Sequence, residues 1–376
     1  MAITDQIMGV CCYSNSLTYA ALQAGHNLVL DVEYPENPLQ KTLIYYAASS
    51  IPDANIVIES MDTPGNGNPP IDYLVKFSAT GIRLGEQTYN PRVIYSQPNV
   101  SIKSGLVKGF DNVFNRIGKY RPEEFVFVLP ARYRKEIVEY FAQRQDGYRW
   151  NTIRVNAMAL GVPIRASYFV VLGSQSGKIP VIEETTLNDT PSIWDVISDL
   201  ETVPMDAEKG HSFLPRKGIQ LEMLWDSIPL LAEGEMLYDV SPEKYPDSMK
   251  QYANKILKVQ LPVRLSRRLP SPSVSINPKY IHPTQDRPVT TRELARFLGL
   301  PDTFHLRPKH SSTFRFLGAT IPIPVCLYAF DLVEKLFVGE VETGNFPEFF
   351  NASEKTDILY RHIRRGIQRQ ALQESA

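Results

Sequence analysis

Three cysteines, Cys11, Cys12 and Cys326, are the soft nucleophiles of this chain. A thiol is partly ionised near neutrality, so it suits covalent attack or metal capture. The adjacent pair Cys11 and Cys12 cannot easily bridge, and no Cys/His pairs stand at metal-ligand spacing. Neither a disulfide framework nor a zinc site is therefore read. A basic group, Arg264, Arg267 and Arg268, runs into Pro270-Ser271-Pro272. Guanidinium groups there face either phosphates or only water. A lone carboxylate, Glu33, follows the apolar run Leu28–Val32. In Thr290-Thr291-Arg292-Glu293 the Thr290 hydroxyl and the Glu293 carboxylate can satisfy each other's orphan amides, which is a capping box.

These groups need elements to position them. At 376 residues and 42.6 kDa the chain suits one large and one small packed unit. Hydrophobic residues at 43% and charged residues at 22% are ordinary for a globular protein and exclude wholesale disorder. Forty Lys+Arg against 41 Asp+Glu leave a net charge of -1. Attraction of nucleic acid by bulk charge is thus excluded, and any such binding needs a local basic surface. No apolar run of roughly 18 residues is read as a membrane span. The first residues lack a basic segment ahead of an apolar one, so no secretory signal is read. A soluble, cytoplasmic protein is expected.

A helix is predicted over Leu17 to Gln23, stopped at Ala24-Gly25. Strands are predicted at Leu28–Val32, Ala54–Glu59, Asp72–Val75, Phe125–Leu129 and Tyr168–Leu172. The last two are continuous apolar runs, as in strands buried on both faces of a parallel sheet. Arg134–Arg144 has amphipathic helical spacing. This rhythm argues for a doubly wound α/β domain. From about Thr202 to Pro272 prolines and short apolar fragments dominate, which reads as a smaller irregular domain. The helix capped by Thr290 ends at Gly299, and another follows from Val325 to Leu336. A basic terminal helix begins at Ser353, carrying Arg361, Arg364, Arg365 and Arg369. The division expected is 1–200 for the α/β domain, 201–268 for the small domain, 269–345 for the return, and 346–376 for the tail.

The segment from His282-Pro283 through Arg287 and Val289 to Phe304 resembles a late motif of cytosine-5 DNA methyltransferases. Upstream, Arg264-Leu265 and Pro270–Ile276 are similar to the family's return from its recognition domain. Gly318–Val325 is similar to the final motif, and Thr190–Leu200 to the stretch before the recognition domain. Gly161-Val162-Pro163 into Tyr168–Gly173 resembles the strand after the catalytic motifs. The resemblance covers nearly the whole chain in order. It implies a Rossmann-like methyltransferase sheet with a recognition-type domain, DNA as partner, and S-adenosylmethionine as cofactor.

The same resemblance sets requirements. The family adds a cysteine thiolate to C6 of an extruded cytosine, engages N3 with a glutamate, and transfers methyl from S-adenosylmethionine. Here the nucleophile position falls at Thr80, after Asp72–Val75, or at Asn99 in an alternative register through Gln97-Pro98. Neither carries a thiol. The glutamate position corresponds to Val128-Leu129-Pro130, and the Gln-x-Arg-x-Arg pattern reads Ile164-Arg165-Ala166-Ser167-Tyr168. The glycine-rich cofactor loop becomes Cys11–Ser16, with Tyr13 and Asn15 where glycines let backbone approach the cofactor. Glu33 stands where the family binds the ribose hydroxyls, and Ala319 replaces an Asn of the final motif. Scaffold motifs persist while four catalytic elements are lost.

Three functional readings follow. The leading one is a catalytically degenerate homologue that binds DNA or regulates an active DNA methyltransferase subunit, as in restriction-modification. An alternative is an active nucleobase modifier with altered chemistry, lined by Thr80, Ser78, Asn15 and Tyr13. A third is plain DNA binding through Arg264, Arg267 and Arg268, with Arg287 and Arg292 of the late motif as further contacts.

Overall fold

The computed structural model describes residues 7–10, 16–26, 28–31, 56–59, 82–85, 91–97, 106–133, 139–141, 143, 147–182, 191–207, 210–213, 216, 219–250, 262–274, 279–304, 306, 310–339, 341–342 and 349–351. These form two compact units, Met1–Leu160 with Ala166–Thr186 and Ile321–Leu359, and Gly161–Arg165 with Leu187–Thr320 and Tyr360–Ala376. The expected small domain, 201–268, is the middle of the second unit, which also holds the late motif.

The first unit is built on a nine-stranded sheet. Its strands include β1 (Ile7–Val10), β2 (Leu28–Asp31), β3 (Ile56–Glu59), β4 (Ile82–Gly85), β5 (Val93–Ser96), β6 (Glu124–Pro130) and β7 (Arg149–Asn156). The order across the sheet is Phe349–Asn351, β7, Ser167–Ser174, β6, β5, β1, β2, β3, β4. The chain runs outward from β1 to β4, then returns to the other side of β1 as β5, pairing Gly9 with Tyr95 and Val10 with Ser96. That reversal makes a switch point between β1 and β5, as doubly wound sheets do.

One expectation is corrected here. Ser167–Ser174 lies antiparallel to both β6 and β7, with Val128 opposite Val170 and Ile153 opposite Val170. Its apolar run reflects a central position covered on both faces, not a parallel neighbour. Val93–Ser96, unpredicted from sequence, proves to be the switch-point strand. The strand expected at 72–75, the helix core at 134–138 and the tail from Ser353 lie outside the described residues.

A further helix, Leu106–Tyr120, repeats Phe110, Val113, Phe114 and Ile117 at helical spacing, and all four are buried. They pack with Phe125, Phe127 and Phe141 in one aromatic cluster. Each such ring contributes about 1.5–3 kcal/mol by leaving water. The helix ends at Arg121, whose φ of 49° is left-handed although it is not glycine.

The helices Ser16–Gln23 and Ile323–Val338 pack together in this unit. Phe330 of the second meets Tyr95 edge-on at 5.5 Å, and Ser16 Oγ accepts the Ile321 amide at 3.0 Å. Over Phe316–Val338 the hydropathy and length match a membrane helix, contrary to the sequence expectation. The segment is broken between Ala319 and Ile323, two thirds of the matching window is buried, and Val325, Cys326, Ala329, Leu332 and Val333 are core residues. It is a core helix.

In the second unit, helix Thr291–Phe297 carries the predicted capping box. Thr290 Oγ1 accepts the Glu293 amide at 3.2 Å, and Glu293 Oε2 accepts the Thr290 amide at 2.7 Å. Gly299 closes it at φ 75°. A separate apolar cluster centres on Leu224, Leu237, Met249 and Ile281.

Candidate functional site

Open α/β sheets bind ligands beyond the carboxyl ends of their strands at the switch point. Here that edge is formed by the ends of β1, β5 and β6. Gly9, one residue before the end of β1, is fixed by packing: a Cβ there would sit 2.5 Å from the Tyr95 hydroxyl. The Tyr95 phenol crosses Gly9 and donates to Thr18 Oγ1 at 3.1 Å, tying β5 to helix Ser16–Gln23. At the end of β5, Ser96 is fully buried and its hydroxyl has no hydrogen-bond partner among the described residues. Gln97 follows, also buried.

At the end of β6, Val128 and Leu129 are fully buried among apolar neighbours and Pro130 stands opposite Tyr168. The carboxylates of this strand lie at its other end. Glu123 is exposed and paired to Arg92 with Nε to Oε1 at 2.7 Å. Glu124 is buried, accepts the Ser174 hydroxyl at 2.9 Å, and leaves Oε2 without a partner among the described residues. Burial pushes its carboxyl up to about 8, against the opposing effect of the Ser174 bond. It is held mostly neutral at pH 7, on the wrong edge of the sheet for the switch-point site.

Thr80, Asn99, Glu33, Tyr13 and Asn15 lie outside the described residues. The five candidate arginines are described, and the structure separates them. Arg264 is buried, donating to the Ile228 carbonyl at 2.8 Å and to Asp286 Oδ1 at 2.7 Å. Arg287 is buried in a two-pronged pair with Glu293, at 3.0 and 2.7 Å. Arg292 is buried, with bonds to the carbonyls of Pro301 at 3.2 Å and Phe304 at 3.0 Å. The guanidinium groups of these three are turned inward and bonded to the protein. Arg267 is exposed but paired to Glu233 at 3.0 Å. Arg268 is exposed, and among the described residues nothing engages its side chain.

Sequence reasoning missed His282 as part of this network. Its Nδ1 accepts the amides of Thr284 and Gln285, at 3.3 and 3.1 Å, and Nε2 faces Glu293 Oε1 at 3.6 Å. Burial holds this imidazole down to about 4, against the pull of Glu293. For Glu293 burial is the largest influence and works upward, but the Arg287 bonds and charge, the His282 ring and the Thr290 amide together keep the carboxyl below its ordinary range. The signal was available: a His-Pro followed by an arginine and a capping glutamate.

A profile of C-5 cytosine-specific DNA methylases matches residues 130–334, more than half of the chain. The chain belongs to this family. Its members are S-adenosylmethionine-dependent methyltransferases. The family profile begins at Pro130, the end of β6, and runs through the late motif into helix Ile323–Val338. Among solved structures, a protein of E. coli, encoded within a prophage and named as a DNA modification methyltransferase, is similar at 18% identity and TM-score 0.54. It covers 88% of this chain and 99% of its own. The S. pombe Dnmt2 methyltransferase is 13% identical with TM-score 0.46, over 88% and 99% of the two chains. The Entamoeba histolytica methyltransferase EhMeth is 10% identical with TM-score 0.48, over 90% and 99%. The first of these likenesses supports the fold. A comparison with curated proteins gives no match.

The residues that would face the family's cofactor, Tyr13, Asn15 and Glu33, lie outside the described residues. Among the described residues at the switch point, Gly9 has its Cβ space filled by Tyr95. The Ser96 hydroxyl is the single unpaired polar group at that edge among the described residues.

Proposed function

We propose that this chain is a catalytically degenerate member of its family that binds DNA, or steadies an active DNA methyltransferase on it, inside the cell. The observation that carries this reading is the end of β6. Its residues Val128, Leu129 and Pro130 are apolar where the resemblance puts the family's carboxylate, and an apolar group cannot share a proton. The adjacent strand supports it. β5 is the inner strand of the switch point and leads directly into Gln97-Pro98-Asn99, which favours Asn99 over Thr80 as the nucleophile position. The strand that opens just after Thr80 is β4, at the edge of the sheet. An asparagine amide offers no ionisable nucleophile for C6 of a cytosine.

DNA contact, on this reading, falls to Arg267 and Arg268 at an exposed turn, with Arg264, Arg287 and Arg292 holding the scaffold behind them. The test is to incubate the full chain with a duplex containing 5-fluorocytosine and radiolabelled S-adenosylmethionine. Neither a covalent adduct nor label on DNA is expected. Either product from the chain alone would overturn the reading.

A further inference from the structure

The second unit contains a cleft of about 840 Å³ whose walls include Leu200, Val203, Met205, Phe304, Arg296 and Asp302. We propose that it docks a protein segment in which an apolar residue is flanked by Lys or Arg. The inference is independent of whether the chain transfers methyl groups.

The floor supplies the apolar half of the argument. Val203 and Met205 are 41% and 45% exposed, an unusual state for such side chains when several share one concavity. Leu200 and Phe304 continue the apolar surface inward. Methionine packs readily against varied apolar shapes and against aromatic edges, which suits an adaptable docking floor.

The rim supplies the charge. Arg296 is drawn into the wall, donating to Asp302 Oδ1 at 2.8 Å and to the Val196 carbonyl at 3.0 Å, with Asp199 on its other side. Its side chain is 17% exposed, whereas those of Asp199 and Asp302 are 67% and 54% exposed. Arg292 is buried and bonded to backbone carbonyls. The charges that meet solvent are therefore acidic, while the basic ones face inward. A cationic segment is favoured at this rim and a DNA phosphate is repelled.

The segment's sequence is unknown, so the test selects it. Short random peptides displayed on phage are selected against the full chain, and enriched peptides are measured by fluorescence anisotropy against the chain and its Val203→Ser/Met205→Ser variant. Both positions are exposed, and a thermal melt checks that the variant is folded. Enrichment of Leu, Met or Phe flanked by Lys or Arg is expected, with affinity falling about tenfold or more in the variant and weakening with salt. The proposal is overturned if no enriched peptide depends on Val203 and Met205, if acidic peptides are selected instead, or if duplex DNA displaces the peptides from the cleft.

Discussion

His282 Nε2 stands 3.6 Å from Glu293 Oε1, and both side chains are completely buried. Glu293 is at once the third residue of a capped helix, the partner of both Arg287 amino groups and the neighbour of this imidazole. One carboxylate thus anchors a helix start, a buried cation and a buried ring.

Replacing Glu293 with Gln leaves Arg287 charged and buried with a poorer partner. A loss of about 3–5 kcal/mol is expected, the cost typical of breaking a buried pair from one side. Urea denaturation of the variant and the parent chain measures it. A loss below about 1 kcal/mol would mean that the pair contributes little.

The same cluster sets an acid limit. The folded His282 titrates at about 4, below the unfolded value near 6.5. Between those values the unfolded chain takes a proton that the folded chain refuses, so stability falls as pH drops through that window. Glu293, with its folded pKa lowered, contributes above the ordinary carboxylate range and loses that contribution as pH falls through its native value. In a Glu124→Gln background, which removes a titration of opposite sign, denaturation midpoints at pH 7, 6 and 5 should decline in order, and adding His282→Gln should flatten the decline above pH 4.

Glu124 acts in the opposite sense. Its folded pKa is raised to about 8, so the folded chain keeps a proton that the unfolded chain gives up. Its full contribution is present below the unfolded value and is lost as pH rises toward about 8. Glu124→Gln keeps an acceptor for Ser174 Oγ without an ionisable group. The variant should gain stability at pH 8, by about 1–3 kcal/mol, and change little at pH 5.

Arg121 occupies a left-handed position at the end of helix Leu106–Tyr120, where glycine is usual. Its carbonyl is held by the Gln175 side chain at 3.0 Å, and its guanidinium lies 5.9 Å from the Tyr148 ring centroid. Arg121→Gly relieves about 1 kcal/mol of backbone strain and gives up a weak cation–π contact. A small net rise in thermal midpoint is expected. A fall would show that the guanidinium contact outweighs the strain.

The arginines separate in a paired experiment. Arg264→Ala should destabilise the fold by about 2–4 kcal/mol, since it strips partners from a buried carbonyl and from Asp286. Arg268→Ala should leave stability within about 0.5 kcal/mol. Where DNA binds, that variant should lower the slope of log affinity against log salt by about one. An unchanged slope would remove Arg268 from the interface.

Local signals sufficed where the cause was local. The box at Thr290 and Glu293, the glycine stop at Gly299 and the apolar run of β6 were legible because caps, stops and strand burial are set within a few residues. The helix Leu106–Tyr120 was equally legible, from the spacing of Phe110, Val113, Phe114 and Ile117, and was missed. The ordered motifs pointed to the family, and the types at positions 99 and 128–130 argued against its chemistry. Three matters needed the tertiary structure. Ser167–Ser174 is as apolar as a parallel strand, and only its pairing with β6 and β7 shows its direction. Val93–Ser96 became the switch-point strand through its contacts with β1 and β6, which lie far away along the chain. Arg264 and Arg268 read alike in sequence, yet one is buried on carbonyls and the other is exposed. Residue type fixes what a group can do, but partners distant in the chain decide which way it faces, and with that whether its charge serves the fold or meets a ligand.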